Sequence, residues 1–141
     1  MSVSICVGLW QKIIVSGKNI IMDINELTYK INGAIYEVNR VLGYGFLEKV
    51  YENALLLEFI KRNLSAEAQV PIDVKYKGEI VGEYMADIIV ENKVILEIKA
   101  VKVLNGLHEA QILNYLKATG FTIGLLVNFT HPKAEIRRFV F

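Results

Sequence analysis

Three charged residues in the second half of the chain have the types and the spacing of a divalent-metal site. Asp87 stands among apolar neighbours, and the stretch Glu97-Ile98-Lys99 follows it after a short interval. Carboxylate oxygens are the ligands that Mg²⁺ prefers in proteins. A lysine beside such an ion can stabilise negative charge that develops on a substrate. The chemistry that these residues offer is therefore metal-assisted, with a cation next to the metal.

Two short strands must bring these residues together. The segment from Glu83 to Ala100 predicts a hairpin with a tight turn at Glu91-Asn92-Lys93. With the turn centred near Asn92, Asp87 lies opposite Glu97 or one place away, and two facing acids repel each other unless a cation separates them. An ordinary strand is the simpler alternative, because alternation alone puts a Glu and a Lys on one solvent-facing side.

Two predicted helices carry further polar residues that such a site would use. Glu48 lies in the first turn of a helix predicted from about Phe46 to Arg62, near its apolar stripe. The helix dipole alone also favours an acid in a first turn. Gln111 and Tyr115 have i,i+4 spacing and so share one face of a helix predicted from His108 to Thr119. Such a pair is more often a surface feature or a polar core contact than a site.

The remaining periodicity completes an order of helix, helix, three strands, helix, strand, strand. A first helix begins at Asp23, which together with Glu26 predicts a capping box, and ends at Gly43-Tyr44-Gly45. Pro71 predicts an edge strand or a bulge, and the last strand–helix–strand passage favours a parallel pair. The sequence therefore predicts an α/β (α+β) domain in which helices flank a mixed sheet. Besides the hairpin, strands are expected at Ala66 to Tyr76, Phe121 to Phe129 and Glu135 to Phe141.

Residues 1–22 do not fit this order, and they predict an extension that is poorly packed or outside the core. They lack the cationic start and the cleavage site of a signal peptide. They also lack the ~20 consecutive apolar residues of a membrane span. The domain itself is expected to comprise residues 23–141, with no membrane association.

The composition excludes several classes of protein. The chain has 141 residues, a formal net charge of +1, one cysteine and two histidines. This length suits one domain with its own core. The charge argues against a protein that holds nucleic acid mainly by bulk positive charge, though not against a local basic groove. A lone cysteine fits a reducing, cytoplasmic compartment. Two histidines and one cysteine argue against a structural Cys/His zinc site, so that any metal is expected to be a hard ion on carboxylates.

The same residues resemble the motifs of a known family. The stretch Gly45-Phe46-Leu47-Glu48-Lys49-Val50-Tyr51 is similar to the signature of the GxxExxY family, a branch of the PD-(D/E)XK nuclease-like superfamily. Asp87 with Glu97-Ile98-Lys99 resembles the D…(D/E)xK core of that superfamily, and Gln111 to Tyr115 resembles the QxxxY motif of its RecB-like exonuclease branch. The resemblance runs from about Asn25 to Phe139. The chain departs from the family pattern outside the acids, at Asn39, Tyr44 and Ala86.

The resemblance implies a restriction-endonuclease-like fold and metal-dependent hydrolysis of nucleic-acid phosphodiester bonds, with DNA as the expected polymer. The metal that it implies is Mg²⁺, or Mn²⁺ in its place, held by Asp87, Glu97, the Ile98 carbonyl and Glu48. The catalytic residues that it implies are Lys99, Glu48, Gln111 and Tyr115. Candidates for contacts with the nucleic-acid backbone are Lys61, Arg62, Lys75, Lys77, Lys102 and Lys117.

Two other functions are compatible with the sequence. A nuclease-like fold can serve only to bind nucleic acid or protein, and the small size and near-neutral charge favour that alternative. The chain can also form a homo-oligomer, with the apolar first helix or the N-terminal segment at the subunit interface. Affinity for Mg²⁺ distinguishes the nuclease from the binding module, and the molecular mass in solution tests the oligomer.

Overall fold

The computed structural model describes residues 22–141, and its elements follow the predicted order α-α-β-β-β-α-β-β. The extension expected at residues 1–22 lies outside the described residues except for Met22, which packs against the core. In the part that is described, no helix is long and apolar enough to cross a bilayer. The helices are α1 (Ile24–Leu42), α2 (Glu48–Lys61) and α3 (Gly106–Thr119), and the strands are β1 (Ala66–Tyr76), β2 (Glu79–Val90), β3 (Val94–Lys99), β4 (Ile123–Asn128) and β5 (Glu135–Val140).

The five strands form one mixed sheet in the order β1-β2-β3-β4-β5. β3 and β4 are parallel and α3 connects them, whereas the other neighbouring strands are antiparallel. The predicted mixed sheet with a parallel pair is thereby confirmed. β1 is an edge strand, in agreement with the prediction from Pro71. The prediction rests on proline having no N–H to donate to a second neighbouring strand.

Helices cover both faces of the sheet. α1 and α2 bury one face through a cluster that contains Leu55 and Leu96. α3 covers the other face, and Ile95 lies in the cluster beneath it. Because side chains alternate along a strand, Glu97 and Lys99 point to the same side as Ile95, toward α3.

The helix caps correct two predictions from the sequence. Asp23 occupies the N-cap of α1, but its side chain makes no capping hydrogen bond, so the capping box predicted with Glu26 is not formed. α3 has a capping box instead. Asn105 Oδ1 accepts the backbone N–H of His108 at 3.1 Å, and His108 Nδ1 accepts the Asn105 N–H at 3.2 Å. This cap starts α3 at Gly106 rather than at His108.

Candidate active site

The two acids meet where β2 separates from β3. The last ladder pair is Ile88 with Leu96, and the next positions are Asp87 and Glu97. Side chains take over the backbone hydrogen bonds there, because Glu97 Oε1 accepts the Asp87 N–H at 3.2 Å and Asp87 Oδ2 accepts the Ile98 N–H at 2.7 Å. Each carboxylate thus satisfies a backbone donor that the separating strands leave unpaired. The backbone of the opposite strand therefore fixes each acid in place.

The side-chain alternation of β2 breaks at Asp87. Ile88 lies in the cluster under α1 and α2, whereas Ala86, which strict alternation would put on the same face, lies in the cluster under α3. Opposite this point, on β1, Gln69 has a positive φ of 54° and drops out of the ladder. The local rotation of both strands puts Asp87 where acids of α2 and a lysine of β3 act on its carboxyl group.

Burial raises the pKa of both acids. Loss of solvent raises the pKa of Glu97 to about 8, and the charge of Asp87 adds to the rise, while Lys99 opposes it. The pKa of Asp87 is raised by burial first and then by Glu52 and, more weakly, by Glu48. A buried acid and a half-buried acid that resist ionisation side by side are an electrostatic setting that a bound cation relieves.

A hydrogen-bonded chain of three side chains lies beside the acids. Lys99 Nζ donates to Gln111 Oε1 at 3.2 Å, and Gln111 Nε2 donates to the Tyr115 hydroxyl at 3.0 Å. Burial first, and the charge of Glu97 second, raise the pKa of the Tyr115 hydroxyl, which therefore stays protonated. Gln111 and Tyr115 share one face of α3, as their spacing predicted, and together they direct the Lys99 amine.

The two acids of α2 differ in burial. Glu48, which the sequence singled out, is exposed in the first turn of the helix. Glu52, one turn later, is only 3% exposed, accepts a hydrogen bond from Gln69 Nε2 at 2.7 Å and pairs with Lys49 Nζ at 2.8 Å. Sequence reasoning missed Glu52. Its i,i+4 spacing from Glu48 was the available signal, because that spacing puts both acids on one helix face.

Tyr51 fixes the point at which α2 begins. Its hydroxyl donates to the Gly43 carbonyl at 2.7 Å and accepts the Phe46 N–H at 3.3 Å. Its ring stacks on Phe129 with the ring centroids 4.1 Å apart. These contacts hold the link between α1 and α2 in a non-helical path, so α2 starts at Glu48 rather than at Phe46 as predicted.

Asn128 fixes the segment that follows Lys99. It pairs with Lys99 at the end of the parallel β3–β4 ladder and is fully buried. Its side-chain amide accepts the Val101 N–H at 2.9 Å and donates to the Val101 carbonyl at 2.8 Å. Sequence reasoning missed this residue. The signal was one polar residue at the end of an otherwise apolar strand, where a buried amide needs partners.

A cleft of about 1040 Å³ opens between α3 and the hairpin of β1 and β2. Lys99, Gln111 and Tyr115 line this cleft, whereas Asp87 and Glu97 lie outside its lining. The cleft therefore meets the candidate site at the Lys99 amine. Of the basic residues predicted to contact nucleic acid, Lys75 and Lys117 line the cleft and Lys61, Arg62, Lys77 and Lys102 do not.

The acids fit a hard divalent cation by their chemistry. Asp87 and Glu97 are adjacent carboxyl groups with raised pKa values, and Glu52 and Glu48 add negative charge on the side of α2. Within residues 22–141, no three acidic, histidine or cysteine side chains form a ready-made metal-binding group. A hard cation would thus be held first by Asp87 and Glu97, and the acids of α2 would have to move to reach it.

Comparisons with known proteins give a family match and two structural likenesses. A family model described as the PD-(D/E)XK nuclease superfamily matches residues 25–139. The crystal structure of SSO0001 resembles the chain with a TM-score of 0.50 and 21% identity, over 82% of this chain and 58% of that protein. An alkaline exonuclease (LHK-Exo) from Laribacter hongkongensis has a TM-score of 0.41 and 13% identity, over 86% of this chain and 72% of that protein. No curated protein sequence matches the chain.

The likeness to SSO0001 extends to the fold alone at this level of identity. The chain spans 58% of the length of that protein, so the two share one domain-sized region.

Proposed function

Because the chain belongs to the PD-(D/E)XK nuclease superfamily, whose model matches residues 25–139, we propose that it is a divalent-metal-dependent nuclease. The observation that carries this proposal is the half-buried Asp87 next to the buried Glu97, beside the hydrogen bond from Lys99 to Gln111. The stretch from Gly45 to Tyr51 further supports assignment to the GxxExxY branch.

The proposed metal ligands are the carboxylates of Asp87 and Glu97, with the Ile98 carbonyl as a third and Glu48 or Glu52 as an acid that approaches from α2. All of these donors are oxygen atoms, which suits Mg²⁺ or Mn²⁺. A bound ion of this kind lowers the pKa of water and stabilises charge on a phosphate.

The residues of β3 and α3 have roles of their own in the proposal. Lys99 places a positive charge next to the reacting phosphate and stabilises the negative charge that builds up there. Gln111 holds the Lys99 amine through its side-chain oxygen, and Tyr115 fixes the amide of Gln111. Gln111 and Tyr115 are thus positioning residues, and Lys99 is the residue that contacts the substrate.

The proposed nuclease domain comprises residues 23–141, and DNA is the polymer that we propose as substrate. The helices and strands of the described residues all fall within this range. The cleft beside Lys99 provides a surface on which a polymer can lie.

Incubation with single- and double-stranded DNA and RNA, in Mg²⁺ or Mn²⁺, tests the proposal. We expect cleavage that stops when the metal is chelated. Asp87→Asn and Lys99→Ala should each lower the rate by about a hundredfold or more, because the first removes a metal ligand and the second removes the cation that stabilises charge in the transition state. Lys93→Ala is the control, since Lys93 is an exposed lysine in the turn between β2 and β3, outside the cleft. Failure to cut any of the four polymers would refute the nuclease, and undiminished cutting by the two variants would refute the site proposed for it.

A binding module without catalysis is the second candidate, and one feature of the site favours it. Asp87 and Glu97 already accept backbone hydrogen bonds, so the acids have a structural role that needs no metal. Calorimetric titration with Mg²⁺ and Mn²⁺ separates the two functions. If the protein is a nuclease, the wild type binds the ion and the Asp87→Asn variant does not. If it is a binding module, its affinity for the ion does not depend on Asp87.

A further inference from the structure

The cleft beside Lys99 is more basic than the molecule as a whole. Lys75 on β1 and Lys117 on α3 line it together with Lys99, and Asp73 is the one acidic residue among its lining. The chain as a whole has a net charge of only +1. Clefts lined by one sign of charge focus the field and attract ligands of the opposite sign. The surface is thus complementary to a polyanion.

A shift of register lies beside this concentration of charge. Val74 pairs with Gly82 and Lys75 pairs with Ile80, so the extra residue is Val81 of β2. Such a bulge increases the local twist of the strand pair. Asp73, Val74 and Lys75, three consecutive residues of β1, line the cleft at this point.

An aromatic ring stands in the same cleft. Tyr84 on β2 is 51% exposed, and its ring lies 5.9 Å from that of Tyr115 at an angle of 50°. Tyr115 is buried and hydrogen-bonded to Gln111, so it supports Tyr84 from the side of the candidate site. The solvent-facing part of the Tyr84 ring is available for stacking. Exposed aromatic rings beside basic groups are the usual platform for bases of a single strand.

The size of the cleft suits a short stretch of one strand. Its volume of about 1040 Å³ is at the upper end of single-ligand pockets, which are roughly 300–1,000 Å³. A few nucleotides of one strand fit a space of this size, with their bases and phosphates against its walls.

We infer that this cleft binds single-stranded nucleic acid, with Lys75 and Lys117 on its phosphates and Tyr84 stacked on a base, and leads the strand to Lys99. The inference rests on the proposed nuclease function, since it names the form of the substrate at that same site. Stacking and phosphate contacts do not involve the hydrogen-bonding edges of the bases, so the binding is expected to be independent of sequence.

Fluorescence anisotropy in EDTA tests the inference without cleavage. The probes are a short labelled oligodeoxynucleotide and the same oligonucleotide in a duplex. We expect tighter binding of the single strand, a loss of roughly tenfold in Tyr84→Ala and near-normal binding in Tyr84→Phe, which keeps the ring. Lys75→Ala and Lys117→Ala should each reduce the slope of log K against log salt by about 0.7.

Two matched controls lie outside the cleft. Tyr76→Ala removes another tyrosine of the same hairpin, which is 62% exposed, and Lys93→Ala removes an exposed lysine from the turn between β2 and β3. Both should bind as wild type does. Equal affinity for single strand and duplex, no binding of either, or controls that weaken binding as much as the cleft variants would overturn the inference. Cleavage is measured separately in Mg²⁺, so a protein that binds the strand through Tyr84 without cutting it refutes the nuclease and leaves the cleft assignment standing.

Discussion

Glu97 is a carboxyl group buried beside a second acid, and its protonation links the candidate site to stability. Burial and the charge of Asp87 raise the pKa of Glu97 from the ordinary 4.5 to about 8. Between these values the folded protein holds a proton that the unfolded chain releases. The free energy of unfolding therefore falls as pH rises through this interval. The contribution of the Glu97 proton to the free energy of unfolding is fully present below pH 4.5 and is lost above about pH 8.

Replacing Glu97 by glutamine tests this dependence. Glu97→Gln cannot titrate but keeps an oxygen for the Asp87 N–H. In EDTA, we expect the melting temperature of wild type to fall more steeply between about pH 5 and pH 8 than that of Glu97→Gln. Glu79→Gln, at an exposed acid at the start of β2, should follow wild type. Parallel curves for wild type and Glu97→Gln would show that Glu97 ionises normally.

The two acids of α2 make a prediction of their own. Glu52 is buried, bound to Gln69 and acts on Asp87 more strongly than the exposed Glu48 does. We expect Glu52→Gln to weaken Mn²⁺ binding roughly tenfold, as loss of a group that supports metal ligands does, and Glu48→Gln to weaken it less. Calorimetric titration measures both affinities. If Glu48→Gln weakened Mn²⁺ binding more than Glu52→Gln did, Glu48 would be the acid that approaches the ion and Glu52 would be a structural residue.

At the scale of elements, α3 can carry Gln111 to Lys99 only because it packs closely on β4. A Cβ atom added at Gly124 would lie 2.9 Å from side-chain carbons of Ile112, which is fully buried. Gly124→Ala should therefore push α3 away from the sheet and destabilise the fold by about 1–3 kcal/mol. Urea unfolding followed by circular dichroism measures the loss.

Gly106 supplies the matched control for this helix. It is the first residue of α3, and a Cβ atom there would meet nothing within 4 Å. Gly106→Ala should leave stability unchanged or raise it slightly, because alanine loses less chain entropy on folding. Equal unfolding free energies for Gly124→Ala and wild type would mean that Ile112 can move aside without cost.

The start of α2 depends on a single hydroxyl group. Tyr51 bonds the Gly43 carbonyl and the Phe46 N–H, and Tyr51→Phe removes both bonds but keeps the ring stacked on Phe129. The expected cost is about 1–2 kcal/mol, because the Gly43 carbonyl loses its partner. Chemical denaturation measures this cost. Tyr29→Phe, at an exposed tyrosine of α1, should leave the free energy of unfolding unchanged. If Tyr51→Phe also left it unchanged, the Tyr51 ring alone would fix the link between α1 and α2.

At the scale of the whole molecule, we propose that the folded domain begins at residue 23. Met22 packs against the core, and the helices and strands run from Ile24 to Val140. The free energy of unfolding of a chain that begins at Met22 should therefore lie within about 1 kcal/mol of that of the 141-residue chain. Urea denaturation of both chains measures the difference. A larger loss would place residues 1–21 in the folded domain and contradict the proposed boundary at residue 23.

The sequence by itself determined the order of the elements and the faces that their residues share. Strand alternation put Glu97 and Lys99 on one side of β3, and helical spacing put Gln111 and Tyr115 on one face of α3, because both periods are local properties of the backbone. The hairpin turn likewise limited Asp87 to a position opposite Glu97 or one place away, and the register of β2 and β3 then put the two acids opposite each other.

Only the tertiary structure decided which groups are buried and what they meet. The rotation of the strands at Gln69 and Asp87, the burial of Glu52 in place of Glu48, and the cleft shared by Lys75 and Lys117 arise from contacts between segments that are distant in sequence. Periodicity does not encode such contacts, because they depend on how helices and sheet pack in three dimensions. The same packing put Gln111 of α3 next to Lys99, beside the two acids of the hairpin, in one candidate site.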